Sequence, residues 1–166
     1  MAKLNLTHTI RCDVDTFWKT FFDAEYNDKL YLGALAFPAF KVTSQTENDR
    51  EIVRVCEGEP KMVVPAPVAK LLGSSFRYKE EGRFDKATRV WTWKMTPSTM
   101  ADKIKNDGVL KVEAAGEGAC RRVVEIILEA KIFGVGGMIE SSSEKQLRDG
   151  WDASAKFMNE VWFAKK

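Results

Sequence analysis

The sequence predicts an α+β fold: a curved antiparallel sheet of about seven strands wrapped around a long C-terminal helix, with two short helices after strand 1. Three observations predict it. The first residues alternate apolar and polar, as a half-buried strand does. The middle of the chain is a series of strand-like runs separated by hairpin-type turn residues. The closing segment, about 137–164, has no proline and repeats its apolar residues at helical spacing.

Over residues 3–11, Leu4, Leu6, His8 and Ile10 share one face and Lys3, Asn5, Thr7 and Arg11 the other, so His8 sits on the apolar side. Asp13 can cap a following helix in which Val14, Phe17, Trp18, Phe21 and Phe22 form one stripe. A second short helix is expected around 25–32, ended by Gly33 and Pro38. Strands are expected over 40–47, 50–57, 75–83, 88–96, 108–115 and 119–131, with reversals at 47–50, 85–87 and 116–118. Between Pro60 and Gly73 an apolar stretch holds three prolines, which cannot donate to a strand ladder. It reads as a connection with one helical turn at 68–72. The final helix would run roughly 40 Å at 1.5 Å per residue and carry Ile139, Ser143, Leu147, Trp151, Ser154, Met158 and Val161 on one broad face. No repeat, low-complexity tract or linker interrupts the chain, so residues 1–166 are expected to form one domain.

A domain of 166 residues buries roughly 70% of the surface its unfolded chain exposes, enough for a core with a cavity in it. The 26 basic and 24 acidic residues nearly cancel and form no single-sign block, which argues against nucleic acid as a partner. The opening residues lack the apolar core of a secretory signal, and no apolar run reaches membrane-spanning length, so a cytoplasmic protein is expected. Three cysteines, Cys12, Cys56 and Cys120, are widely spaced and suit reduced, packed thiols. With His8 as the single histidine they offer no metal-site spacing, and no cofactor is expected.

Three segments carry a resemblance to a known family: LTHTI at 6–10, VVPAPVAKLLG at 63–73 and FGVGGMIE at 133–140. Together with the element order, they make the chain resemble the START-like, or Bet v 1-like (SRPBCC), helix-grip superfamily. Within it, the chain looks like a bacterial family of uncharacterised function. The superfamily also includes polyketide cyclases and lipid-transfer domains. The resemblance implies a helix-grip fold with space between sheet and terminal helix, but names no activity, because fold does not fix function.

The glycines at 134, 136 and 137 raise the question of a phosphate cradle. A dinucleotide fingerprint read from Gly134 and Gly136 would need glycine where Ile139 stands, and a P-loop would need a Gly-Lys-Ser/Thr that is absent. The segment therefore reads as a strand-to-helix junction.

Several residues could carry function. His8, a titratable group on an inward face, could orient a ligand or move a proton, or could be a satisfied wall histidine; Arg54 and Glu125 are candidate neighbours. Trp91, Trp93 and Met95 alternate on one face of a strand, and Ser143, Leu147, Trp151 and Met158 lie on the helix face. They could line an adaptable pocket or fill a dry core. Of Arg121 and Arg122, which point to opposite faces, one could point inward as a carboxylate partner. Glu80 and Glu81 read as solvent-side. Residues 60–73 could gate the cavity and touch a membrane transiently, or could close one end of the sheet as a packed connection, and Met100 and Ile104 invite the same reading. The expectation is a binding protein, possible as a transporter, for a lipid or other hydrophobic small molecule held by His8, Trp91, Trp93, Met95, Ser143, Leu147, Trp151 and Met158. The alternatives are a cyclase or dehydratase using His8 in the same cavity, and a protein-interaction module with a filled core.

Overall fold

In β1 (Ala2–Ile10) the alternation is realised: Leu4, Leu6 and Ile10 are buried while Lys3, Asn5, Thr7 and Thr9 face solvent. The structure is a computed structural model and describes residues 1–73 and 76–164. β1 pairs antiparallel with the last strand, β7 (Cys120–Ala130), bringing His8 opposite Arg122. The chain then crosses to the far edge of the sheet by way of two helices. α1 (Val14–Phe21) is capped by Asp13, whose carboxylate accepts from the Thr16 N–H at 2.7 Å. α2 (Ala24–Asp28) is capped in the same way by Asp23 and runs into a wider helical turn at Lys29–Ala34.

From that edge β2 (Ala39–Glu47), β3 (Glu51–Glu59), β4 (Tyr78–Asp85), β5 (Val90–Pro97), β6 (Ile104–Ala114) and β7 return as a meander, giving one antiparallel sheet in the order β1-β7-β6-β5-β4-β3-β2. α3 (Ala66–Leu72) interrupts the meander between β3 and β4. α4 (Gly136–Phe157) follows β7 and continues through a second wide turn at Met158–Trp162. The architecture is the α+β helix-grip arrangement, with the sheet curled around α4. No described helix is long and apolar enough to cross a membrane.

Two strand starts and one helix face differ most from those expected. β6 starts at Ile104, four residues early, because the ladder with β7 extends to the pair Ile104 and Ala130 while polar Asn106 and Asp107 conceal the strand from an apolar pattern. The strand expected from residue 75 begins at Tyr78, and Ser75 lies outside the described residues. Val161, expected on the inward helix face, is 60% exposed. Its helix widens at Met158, where the Phe163 N–H reaches back five residues to the Met158 carbonyl, rotating the side chains beyond it out of phase.

Most buried apolar residues form one cluster of β1, β7, α1 and α4 side chains with Trp91 and Trp93. A second, smaller cluster joins Val68 and Leu72 of α3 to Ala130 and Ile139, with Met62, Ile104 and Ile132 against it. Residues 60–73 are thus anchored at one end of the sheet by α3. Gly134 makes the return from β7 to α4 with φ at +82°, a value costly for any residue with a Cβ.

Candidate functional site

The inward faces of β3 to β7, the helices α1 and α2, and the face of α4 leave between them a cavity of about 790 Å³. Its floor is aromatic because β5 alternates. Trp91 and Trp93 point inward beside Met95, and the indoles lie over Gly82 and Gly108 of the neighbouring strands. α4 supplies the opposite wall through Ile139, Ser143, Leu147 and Trp151, and the wide turn after it adds Met158. Trp93 and Trp151 approach to 5.9 Å between ring centres, linking floor and wall. The mouth lies where Lys61 and Val63 meet Lys145, Gln146 and Asp149, and the Gln146 amide donates to the Val63 carbonyl at 3.0 Å.

Two arginines reach into this apolar space, each 2% exposed. Arg122 on β7 donates to the Ser154 hydroxyl at 2.9 Å and the Trp151 carbonyl at 2.8 Å, and its guanidinium lies 4.8 Å from the Trp151 ring centre. Burial pulls its pKa down to about 10, since a desolvated cation is disfavoured. Arg54 on β3 donates to the Phe21 carbonyl at the end of α1 at 2.8 Å and is ringed by Phe21, Phe22 and Trp91 at 4.5, 5.6 and 5.0 Å.

Around Arg54 the cavity is polar. The pairing of Cys56 with Glu80, and of Gly58 with Tyr78, sets Glu80 and Tyr78 on the inward face with Tyr31 of the wide turn near them. Burial raises the Glu80 pKa above the usual carboxylate range, with Arg54 opposing the shift in part. Desolvation likewise raises Tyr26, Tyr31 and Tyr78, and lifts the Cys56 thiol to about 11. Glu80 is a correction to the solvent-side reading. It shares the inward parity of Gly82 and Phe84, and Glu81 alone of the acidic pair is turned out.

Seven of the eight expected ligand-contacting residues, Trp91, Trp93, Met95, Ser143, Leu147, Trp151 and Met158, line this one cavity. His8 is not among the lining residues. It stands behind Arg122, which donates to its Nδ1 at 3.1 Å, and its Nε2 meets the Asp152 carboxylate at 2.6 Å. A guanidinium only donates, so Nδ1 accepts and the proton sits on Nε2. Asp152 is thus the acidic partner of His8. Arg54 instead reaches the end of α1, and Glu125 lies on the opposite face of the sheet, paired across to Asn5. Of the two adjacent arginines, Arg122 points inward and Arg121 stays outside near Glu113. Cys12, Cys56 and Cys120 are buried free thiols.

The family described as "Protein of unknown function (DUF2505)" matches residues 5–162. No curated protein matches the chain. Among solved structures, a protein from Thermus thermophilus superposes with a TM-score of 0.70 at 16% identity, covering 99% of each chain. The Zhui aromatase/cyclase from a Streptomyces species gives 0.67 at 12% identity, covering 99% of this chain and 97% of its own. A START superfamily protein from Mycobacterium smegmatis gives 0.62 at 12% identity over 94% and 96%. These likenesses show a START-like, SRPBCC-type fold.

Proposed function

We propose, from the premise that the chain belongs to the DUF2505 family, that this protein binds a hydrophobic small molecule, lipid-like or similarly apolar, in the cavity between the sheet and α4. The carrying observation is the cavity itself: about 790 Å³, walled by the indoles of Trp91, Trp93 and Trp151 with Leu147 and Met158. A space of this size and lining is what a small-molecule site requires. Burial of apolar ligand surface there contributes roughly 25 cal/mol per Å² before association costs are subtracted. One structural neighbour of the same fold is a START superfamily protein.

Another neighbour, an aromatase/cyclase, raises the enzymatic alternative. That alternative asks His8 to move a proton within the cavity, yet both its ring nitrogens are engaged, one by Arg122 and one by Asp152. His8 fits better as a positioning residue that holds Arg122. Residues 60–73 act as the gate, pinned by α3 at one end and by the Gln146 bond to Val63 at the mouth. Val63, 80% exposed there, is the side chain that meets a membrane if the ligand is exchanged with one.

The test is native mass spectrometry of gently purified protein, followed by solvent extraction of what co-purifies. A bound species of defined mass, lost in Ser143→Trp, supports the reading. A clean unliganded mass with no thermal shift across a panel of lipids and aromatic compounds refutes it.

A further inference from the structure

We infer that the ligand is an acid, whose carboxylate, or an anion of like geometry, pairs with the Arg54 guanidinium while its apolar body lies along the Trp91 and Trp93 floor. This rests on the ligand-binding reading above and names the chemistry of the head group.

The two buried arginines are unequally satisfied. A buried cation is stable when a carboxylate or a full set of acceptors replaces its water. Arg122 comes close to that condition through three neutral acceptors: the Ser154 hydroxyl, the Trp151 carbonyl and the His8 Nδ1. Arg54, equally buried, does not. It has the Phe21 carbonyl and a contact with the Cys56 thiol, and no carboxylate among the described residues lies in ion-pair contact with it; the Nε of both arginines is buried without a partner, so the difference lies at the terminal nitrogens. Arg54 is therefore left with fewer acceptors at its terminal nitrogens than Arg122. The three aromatic rings stabilise the cation through their π-faces but offer no acceptor in the guanidinium plane. A planar carboxylate supplies the bidentate geometry that this fork lacks.

The surroundings agree. The charged side chains lining the cavity are Arg54, Lys61, Arg122 and Lys145 against Glu80 and Asp149, a net positive set. Asp149 is at the exposed mouth. Glu80 is the carboxyl near Arg54, and burial raises its pKa while Arg54 opposes the shift in part, so it answers the Arg54 charge less fully than a solvated carboxylate would. Further along the floor Asn106 leaves its buried Oδ1 without a donor, which suits a ligand that also carries a hydroxyl.

The experiment compares acid and alcohol pairs of the same skeleton by titration calorimetry on the intact protein: dodecanoate against dodecanol, and 2-naphthoate against 2-naphthalenemethanol. An ionised carboxylate prefers water more than its alcohol does, so a hydrophobic pocket alone would favour the alcohol. We expect the acid of at least one pair to bind about tenfold tighter or more. In Arg54→Met that preference for the acid over its alcohol should vanish, and Arg54→Lys should restore part of it. Equal or weaker binding of both acids by the wild-type protein overturns the inference and leaves the hydrophobic site standing, whether or not the variants fold. An acid preference that survives in folded Arg54→Met also overturns it. Failure of all four compounds to bind overturns the ligand-binding reading and this inference with it.

Discussion

Gly82 and Gly108 have no side chain at the points where the Trp91 and Trp93 indoles cross the neighbouring strands, and a Cβ added at either would clash with the six-membered ring of the indole above it. The missing side chains let both indoles lie low on the sheet instead of standing up into the cavity. Replacing Gly82 by Ala forces Trp91 off this seat, at a cost of about 1–3 kcal/mol. Thermal melting should show a Tm lower by several degrees, with ligand affinity falling as well. His8 gives a contrasting case. His8→Ala removes one acceptor from Arg122 and the tie to Asp152, which should cost about 1–2 kcal/mol of stability while leaving the affinity for a cavity ligand within about threefold of wild type. An unchanged melting temperature with lost turnover on a polyketide-like substrate would instead support catalysis. The inward place of His8 was legible from alternation. Its partner was not, because Asp152 is 144 residues away and one exposed acid on a helix carries no signal. Glu80 was hidden for a related reason: a charged residue on a strand reads as solvent-facing unless its parity is counted against neighbours such as Gly82 and Phe84. Arg54 was expected beside His8, and only the fold shows that it reaches the end of α1 instead.

The connection at 60–73 is the element whose behaviour decides how a ligand enters. Val68 of α3 is fully buried against the second core cluster, whereas Val63 is held by a single hydrogen bond from Gln146. Gln146→Ala should release only the mouth. Hydrogen exchange should quicken over about residues 61–65, α3 should stay protected, and ligand dissociation should speed up several-fold with little change in Tm. Faster exchange throughout 60–73 would show instead that the segment opens as one piece. α1, which carries Phe17 and Phe21 to the cavity, depends on its cap. The Thr16 N–H favours ionised Asp13 and lowers its pKa, so the cap's contribution is complete above about pH 4 and is lost as the pH falls through the lowered value. Asp13→Ala should therefore melt below wild type at pH 7, with the gap closing in stronger acid. Element order was readable because strand alternation and hairpin turns repeat through the chain. The start of β6 and the end of α4 were not, since Asn106 and Asp107 break the apolar pattern and the wide turn at Met158 breaks the helical period.

At the scale of the molecule, β1 and β2 form opposite edges of one sheet, and α1 and α2 carry the chain between them. Sheet and α4 thus meet across a space that side chains leave open, and occupation of that space should stabilise the whole fold. A ligand at one hundred times its Kd adds about 2.7 kcal/mol by mass action, a Tm rise of about 5–10 °C for a chain of this size. Ser143→Trp, which fills the cavity from the α4 side, should abolish the rise; a rise of equal size in that variant would place the binding elsewhere. The fold class followed from the order of elements, but the cavity could not be separated from a filled core by composition, because the same aromatic residues would serve both. The 5.9 Å approach of Trp93 to Trp151 has a practical consequence. One indole belongs to the sheet and the other to α4, so a guest that wedges between them alters their mutual quenching and the polarity each experiences. Intrinsic fluorescence should therefore report occupancy directly, through a change in emission intensity and wavelength that needs no label and disappears in Trp151→Phe.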